Sequence, residues 1–139
     1  MRFTISSDYA CSREVQEKVM DEVEKHHYCD AATFAIRLAL EEAIVNAIKH
    51  GNGLNSAKRI TIEANVTDRQ TLLSVEDEGP GFNRRSVPDP RDPQNLTKTS
   101  GRGILLIESY MHQVTWSNHG RRLTMCRRNE PDGPVAKRA

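Results

Sequence analysis

The sequence carries almost no net charge: 20 Lys and Arg stand against 19 Asp and Glu, a formal +1 over 139 residues. No overall field therefore draws it to nucleic acid or to a membrane surface. Long apolar runs are missing too, and none approaches the length that spans a bilayer. The opening Met1-Arg2-Phe3-Thr4-Ile5-Ser6 lacks the apolar core of a secretory leader. Cysteine is scarce, and Cys11, Cys29 and Cys126 show no paired spacing, which argues against a disulfide framework. His26-His27 beside Cys29 has no second ligand pair and makes a poor zinc site. These absences predict a reduced, cytoplasmic protein. No repeat and no second domain are visible, and the length suits one domain with a real core.

What is present reads in order. Arg2 to Ser6 alternates as a short strand, with Phe3 and Ile5 on one face. Ser7 or Asp8 can cap a helix running to about His26, with Val15, Val19 and Val23 at four-residue spacing. Asp30 is the expected cap of a second helix, which continues to Gly51 as its C-terminal cap. Arg59 to Thr67 and Thr71 to Asp77 alternate as strands around a turn at Asp68-Arg69-Gln70. From Asn83 to Ser100 the pattern vanishes, and Pro88, Pro90 and Pro93 forbid a regular element. A loop of that length in a small domain is usually functional or mobile. Gly101-Arg102-Gly103 then opens a short buried helix from Ile104 to Met111. Gln113–Ser117 and Arg121–Arg127 form a hairpin around Asn118-His119-Gly120. The folded domain is expected over residues 1–128, with 129–139 a polar, disordered tail. One mixed, mostly antiparallel sheet with helices on one face accounts for this order, a two-layer α/β sandwich.

Three segments carry chemistry. On the second helix, Glu42, Asn46 and His50 fall four apart and stack as a polar stripe beside Ile36, Leu40, Ala43, Ile44 and Ala47. An Asn oxygen is a suitable hard ligand for Mg²⁺, and a carboxylate one turn earlier can take a proton. At a strand end stands Asp77-Glu78-Gly79-Pro80-Gly81. An ionised Asp only accepts hydrogen bonds, so facing a base it favours the adenine amine over the guanine carbonyl. The third segment is Ser100-Gly101-Arg102-Gly103-Ile104, where glycines near a helix start let a phosphate approach backbone N–H groups. Taken singly, each segment has an ordinary alternative: a solvated helix face, a turn, a hinge.

In this order and spacing the three resemble the ATP-binding domain of the GHKL superfamily: gyrase-type ATPases, the Hsp90 chaperone, sensor histidine kinases and MutL-type repair proteins. Asn46 sits at the N-box asparagine, Asp77-x-Gly79-x-Gly81 matches the first glycine box, and Gly101-x-Gly103 matches the second. The proline-containing loop falls where that superfamily has its ATP lid. The N-box pattern Glu-Ala-x-x-Asn-Ala-x-x-His-Gly looks like that of the anti-sigma-factor serine kinases. The resemblance implies the Bergerat ATP-binding fold, with ATP and Mg²⁺ as cofactors. It implies Glu42 as general base, Asn46 as Mg²⁺ ligand and Asp77 as adenine reader. Gly79 and Gly81 would admit the nucleotide, and Gly101, Arg102 and Gly103 would hold phosphates, with side-chain contact from Lys98, Ser100 and Arg102. His50 matches the pattern without an assigned role. The implied partners are a sigma factor and an antagonist protein phosphorylated on serine, with the kinase a homodimer and no direct contact to nucleic acid or membrane. A sensor histidine kinase should carry a dimerisation helix ahead of the N-box, and few residues precede it here. Two other functions fit the same residues: a partner-binding module that uses ATP only to order its lid, and a plain ATPase.

Overall fold

The computed structural model describes residues 1–81 and 99–134, and of residues 99–102 only the backbone. Its elements are β1 (Arg2–Ser6), α1 (Tyr9–Lys25), α2 (Asp30–Asn46), a π-helical turn (Ala47–Gly51), β2 (Arg59–Val66), β3 (Gln70–Glu76), α3 (Thr99–Tyr110), β4 (Gln113–Ser117) and β5 (Arg122–Arg128). The strands form one sheet in the order β1-β2-β3-β5-β4, and every pairing is antiparallel. The α/β sandwich expected from the sequence is the fold, and its described sheet is antiparallel throughout.

Alternation decides which face of the sheet meets the helices. One row of the register runs Phe3, Ile62, Val75, Leu123, Trp116. With Ile60, Ala64, Leu73 and Met125 it makes the floor of the core. Above it lie Val15, Val19 and Val23 of α1, at the spacing expected, and the alanine-rich face of α2. Ala32, Ala35 and Ala39 are fully buried, which lets the α2 backbone sit close to its neighbours. α2 packs against α1, α3, β3 and β5, so its C-terminal end is fixed from several sides.

Several local expectations change. Asp8, not Ser7, caps α1, its Oδ1 accepting the Ala10 N–H at 2.8 Å. Asp30 does not cap α2: Cys29 occupies that position without a side-chain bond, and Asp30 is the first helical residue. There its charge still complements the helix dipole. α3 is only half buried. Ile104 and Ile107 point inward while Leu105 and Leu106 are 36% and 38% exposed, because a helix on a sheet buries one stripe. That helix begins at Thr99, so Gly101 and Gly103 lie inside it rather than before it. The Asn83–Ser100 loop falls outside the described residues up to residue 98.

At the other end, Arg127 points inward from β5 and is 2% exposed. Its guanidinium donates to the carbonyls of Tyr110 at 2.6 Å, Glu130 at 2.8 Å and Arg128 at 3.2 Å. A buried cation is tolerable when its donors are met this way. Asn129 adds three bonds: its Oδ1 accepts the Cys29 N–H at 2.9 Å, and its own N–H groups reach Arg69 and Asp68 carbonyls. The residues just past β5 are thus tied to α2, α3 and the β2–β3 turn.

Candidate functional site

The second helix does not end as its periodicity implies. After Asn46 the chain widens into a π-helical turn, and the Asn52 N–H bonds to the Ala47 carbonyl five residues back at 2.8 Å. Such a turn breaks the four-residue stacking. Glu42 and Asn46 are half-buried, whereas His50 is exposed and leaves the stripe. Gly51 is not a left-handed C-cap; Asn52 ends the helix. The reason for glycine at 51 is a neighbour: a Cβ there would overlap the Asp77 carboxylate. A Cβ at Gly79 would overlap the Gly51 carbonyl. Gly51, Asp77 and Gly79 therefore meet with no room for a side chain on either glycine.

Asp77, one residue past β3, is 8% exposed. Its Oδ1 accepts the Gly79 N–H at 2.8 Å, and no other described residue donates to its carboxylate. Burial pushes its pKa up, opposed by the Gly79 hydrogen bond and by Arg121, with smaller effects from Glu76 and Lys58. A buried carboxylate with one donor has acceptor capacity left for a ligand. Gly81, at φ +81, is held against the carbonyl of His119, where a Cβ would collide.

At the other end of the line stands Glu42. A Cβ on Gly103 would lie 3.0 Å from its Oε2, so the carboxylate rests against the first turns of α3. Burial, then the neighbouring Glu41, raises its pKa. Asn46 follows one turn later, and among the described residues its amide makes no hydrogen bond. Along the axis the run from Glu42 to Gly51 covers about 13 Å. The fold thus brings Glu42 and Gly103 together at one end, and Asp77, Gly79 and Gly81 at the other. Gly101 lies on the α3 backbone two residues before Gly103. Lys98 lies outside the described residues, as do the side chains of Ser100 and Arg102. His50, although its residue surface is exposed, has a lowered pKa, from partial desolvation of the ring first and then from Lys49.

Two residues at this site were not foreseen. Asn52, 2% exposed, donates through Nδ2 to the Arg59 carbonyl at 3.1 Å and accepts the Glu78 N–H at 2.8 Å. It fastens the π turn to β2 and to the residue after Asp77. Glu78 in turn accepts the Arg59 N–H. Arg121 sits across the loop, its Nε donating to the Gly79 carbonyl at 2.6 Å and an Nη to Pro80 at 3.3 Å. Asn52 looked like a loop residue and Arg121 like a strand residue. The only available cue was an Asn directly after the N-box glycine.

Several known proteins resemble this chain in sequence. The anti-sigma F factor of Clostridium perfringens (strain SM101) is 31% identical over 83 residues, covering 57% of this chain and 58% of the relative. That of Bacillus subtilis (strain 168) is 30% identical over 84 residues, 58% of this chain and 56% of the relative. The serine-protein kinase RsbW of Oceanobacillus iheyensis is 26% identical over 89 residues, 60% and 56%. The chain thus spans a little over half the length of these relatives. A family model, the histidine kinase-like ATPase domain, matches residues 5–127, which takes in every described element from α1 to β4, the end of β1 and all of β5 but Arg128. With both ends of the site inside that match, the chain belongs to the histidine kinase-like ATPase domain family.

Proposed function

We propose that this chain is an ATP-dependent serine protein kinase and an anti-sigma factor, phosphorylating a serine of an antagonist protein. One observation carries the reading. A carboxylate with spare acceptor capacity stands at one end of a line about 13 Å long, and a second, half-buried carboxylate stands beside α3 at the other. That span suits a nucleotide laid from base to terminal phosphate. Asp77 would accept from the adenine amine. Gly51 and Gly79, which no side chain could replace without collision, would let the base lie close to backbone. Gly101, Arg102 and Gly103 would meet phosphates along the start of α3, with Lys98, Ser100 and Arg102 as further side-chain contacts.

The donor set fits Mg²⁺: a neutral amide oxygen at Asn46, without a partner among the described residues and one turn from Glu42. Such an ion takes few protein ligands and keeps waters and phosphate oxygens. When bound it would neutralise phosphate charge. Glu42 would take the proton of the attacking serine hydroxyl as its oxygen bonds to phosphorus and the bond to the ADP oxygen breaks. Its raised pKa suits a base, since burial makes the carboxylate more willing to accept a proton.

The relatives' names support a sigma factor as one partner and serine as the acceptor. A cytoplasmic homodimer is part of the same proposal; no helix among the described residues is long and apolar enough to cross a membrane. Labelled ATP, incubated with the chain and a serine-bearing antagonist domain, tests it. Wild type should transfer phosphate, and Glu42→Gln should slow transfer by about 10²–10⁴-fold while ATP still binds within a few-fold. Absence of transfer by wild type to any cognate antagonist leaves the ATP-dependent binding module in its place. Equal rates would keep the kinase and move the base elsewhere, with Glu41 next to test.

A further inference from the structure

We infer that Arg121, the last residue of the β4–β5 hairpin turn, is the positioning residue of the base site: its guanidinium holds the Gly79 and Pro80 carbonyls so that Asp77 faces the base. The inference rests on the nucleotide reading proposed above and adds to it a residue whose side chain bonds to backbone carbonyls of the Asp77 loop.

Arg121 is fixed from its own backbone first. Its carbonyl accepts the Asp77 N–H at 3.1 Å, continuing the β3–β5 ladder one step beyond Glu76 and Arg122. From that anchor Nε reaches the Gly79 carbonyl at 2.6 Å and an Nη the Pro80 carbonyl at 3.3 Å. A planar guanidinium can bind two successive carbonyls as a fork and so fix a loop's orientation. Gly79 is also the residue whose N–H holds Asp77 Oδ1. The chain of contact runs from Arg121 through Gly79 to the carboxylate.

The hairpin tip braces the same loop a second time. Asn118, His119 and Gly120 all have positive φ, at 51°, 58° and 83°. Two non-glycine residues in that region need support, and the Asn118 amide finds it on the Glu76 carboxylate. The turn so held sets the His119 carbonyl against Gly81. The tip and Arg121 therefore back the whole Gly79-Pro80-Gly81 segment from one side, while Asn52 grips Glu78 from the other.

Charge follows the same route. The charged groups acting on Asp77 are Arg121 in the hairpin turn and Lys58 before β2, both favouring the ionised form, and Glu76 on β3, opposing it. Lys49 and His50 of the π turn are exposed and are not among them. Burial works against ionisation, and the Gly79 hydrogen bond with Arg121 works for it. Arg121 thus supplies both geometry and charge, and two substitutions separate them.

Calorimetry of ATP and GTP binding to the full chain, from about pH 4 to about pH 8, is the test. Arg121→Gln removes the charge and the fork. It should lose on the order of tenfold in ATP affinity, lower the ATP:GTP ratio, and move the acid midpoint of binding upward. Arg121→Lys keeps the charge but cannot hold two carbonyls in a fixed plane. It should keep the wild-type midpoint and still lower the ATP:GTP ratio. Weakening of ATP and GTP alike, with an unmoved midpoint in both variants, marks a merely structural arginine and overturns the inference. So does ATP affinity within about twofold of wild type in Arg121→Gln. Should Arg121→Gln fail to fold by far-ultraviolet circular dichroism, the ATP:GTP ratio of Arg121→Lys decides alone. A wild-type chain that binds no ATP at all defeats the nucleotide reading itself, which is a different result from intact wild-type binding with indifferent variants.

Discussion

At the scale of single residues, the most informative group is Asp77, because its position is unfavourable for the protein alone. A carboxylate 8% exposed with one backbone donor is incompletely solvated, and its raised pKa records the shortfall. A ligand that donates to the free oxygen would offset this, whereas an asparagine amide would remove the charge and keep the Gly79 bond. Asp77→Asn is therefore expected to leave the nucleotide-free chain as stable or more stable near neutral pH, while ATP binding weakens by about 1–3 kcal/mol. Thermal melts without ATP and calorimetry with it check both halves; a loss in both would mean that Asp77 is structural. Asn46 offers a complementary case. Asn46→Ala should weaken ATP binding in Mg²⁺ far more than in EDTA, since it deletes a metal ligand and no nucleotide contact. Equal weakening in the two buffers would assign the amide to the nucleotide instead.

Among the elements, the sequence was most legible where burial follows a simple period. β1 and β4 match their expected spans, β2 and β3 differ by a residue at the ends, and α1 buries the expected valines. The π turn at Ala47–Gly51 was not legible, because a helix with one five-residue step carries the same residues as one without. Arg121 was hidden for another reason: its partners are backbone carbonyls 42 and 41 residues away, which leave no mark on composition or spacing. Arg127, in the sequence no more than the end of the last strand, is a plug for three carbonyls. Of the site, the N-box and first glycine box were readable as types at spacings, but their contact through Gly51 was not. That contact is testable. Gly51→Ala drives a methyl into the Asp77 carboxylate, so it should destabilise the chain by about 1–3 kcal/mol and also weaken ATP binding. Gly53→Ala is the control. Gly53 has φ +60 and open space around it, so alanine there should cost about 1 kcal/mol of backbone strain and leave binding intact. Denaturant titration and calorimetry on the pair separate the effects; equal binding in both variants would rule out the Gly51–Asp77 contact as part of the site.

Over the whole molecule, the titrating groups fall into two sets that pull stability in opposite directions. His112, 4% exposed at its side chain, accepts the Arg128 N–H on Nδ1 at 3.0 Å and donates from Nε2 to the Asp132 carbonyl at 2.9 Å. That pattern fixes one neutral tautomer, and a second proton would set two N–H groups against each other. Burial lowers its pKa first; the Asp132 bond and Glu130 oppose, while Arg128 and Arg127 add to the lowering. A depressed histidine contributes stability that is complete above its ordinary 6.5 and is lost as pH falls toward the folded value. Asp77 and Glu42 are raised, so their contribution is complete below their ordinary 3.8 and 4.5 and is lost as pH rises through the folded values. Both losses fall in the same interval, the candidate site costing stability as pH rises from 3.8 and 4.5 and the clamp beyond β5 costing it as pH falls from 6.5, so together they hollow the stability curve of the nucleotide-free chain there. His112→Gln can keep one acceptor and one donor without titrating, so it should flatten the loss on falling pH below about pH 6.5 and leave the other unchanged. Asp77→Asn should shrink the loss on rising pH to the part that Glu42 supplies and leave the loss on falling pH unchanged. Melting temperature measured against pH for wild type and both variants tests the partition. If His112→Gln keeps the wild-type loss on falling pH, the proton is taken up elsewhere, and His50, the other histidine with a lowered pKa, becomes the group to replace.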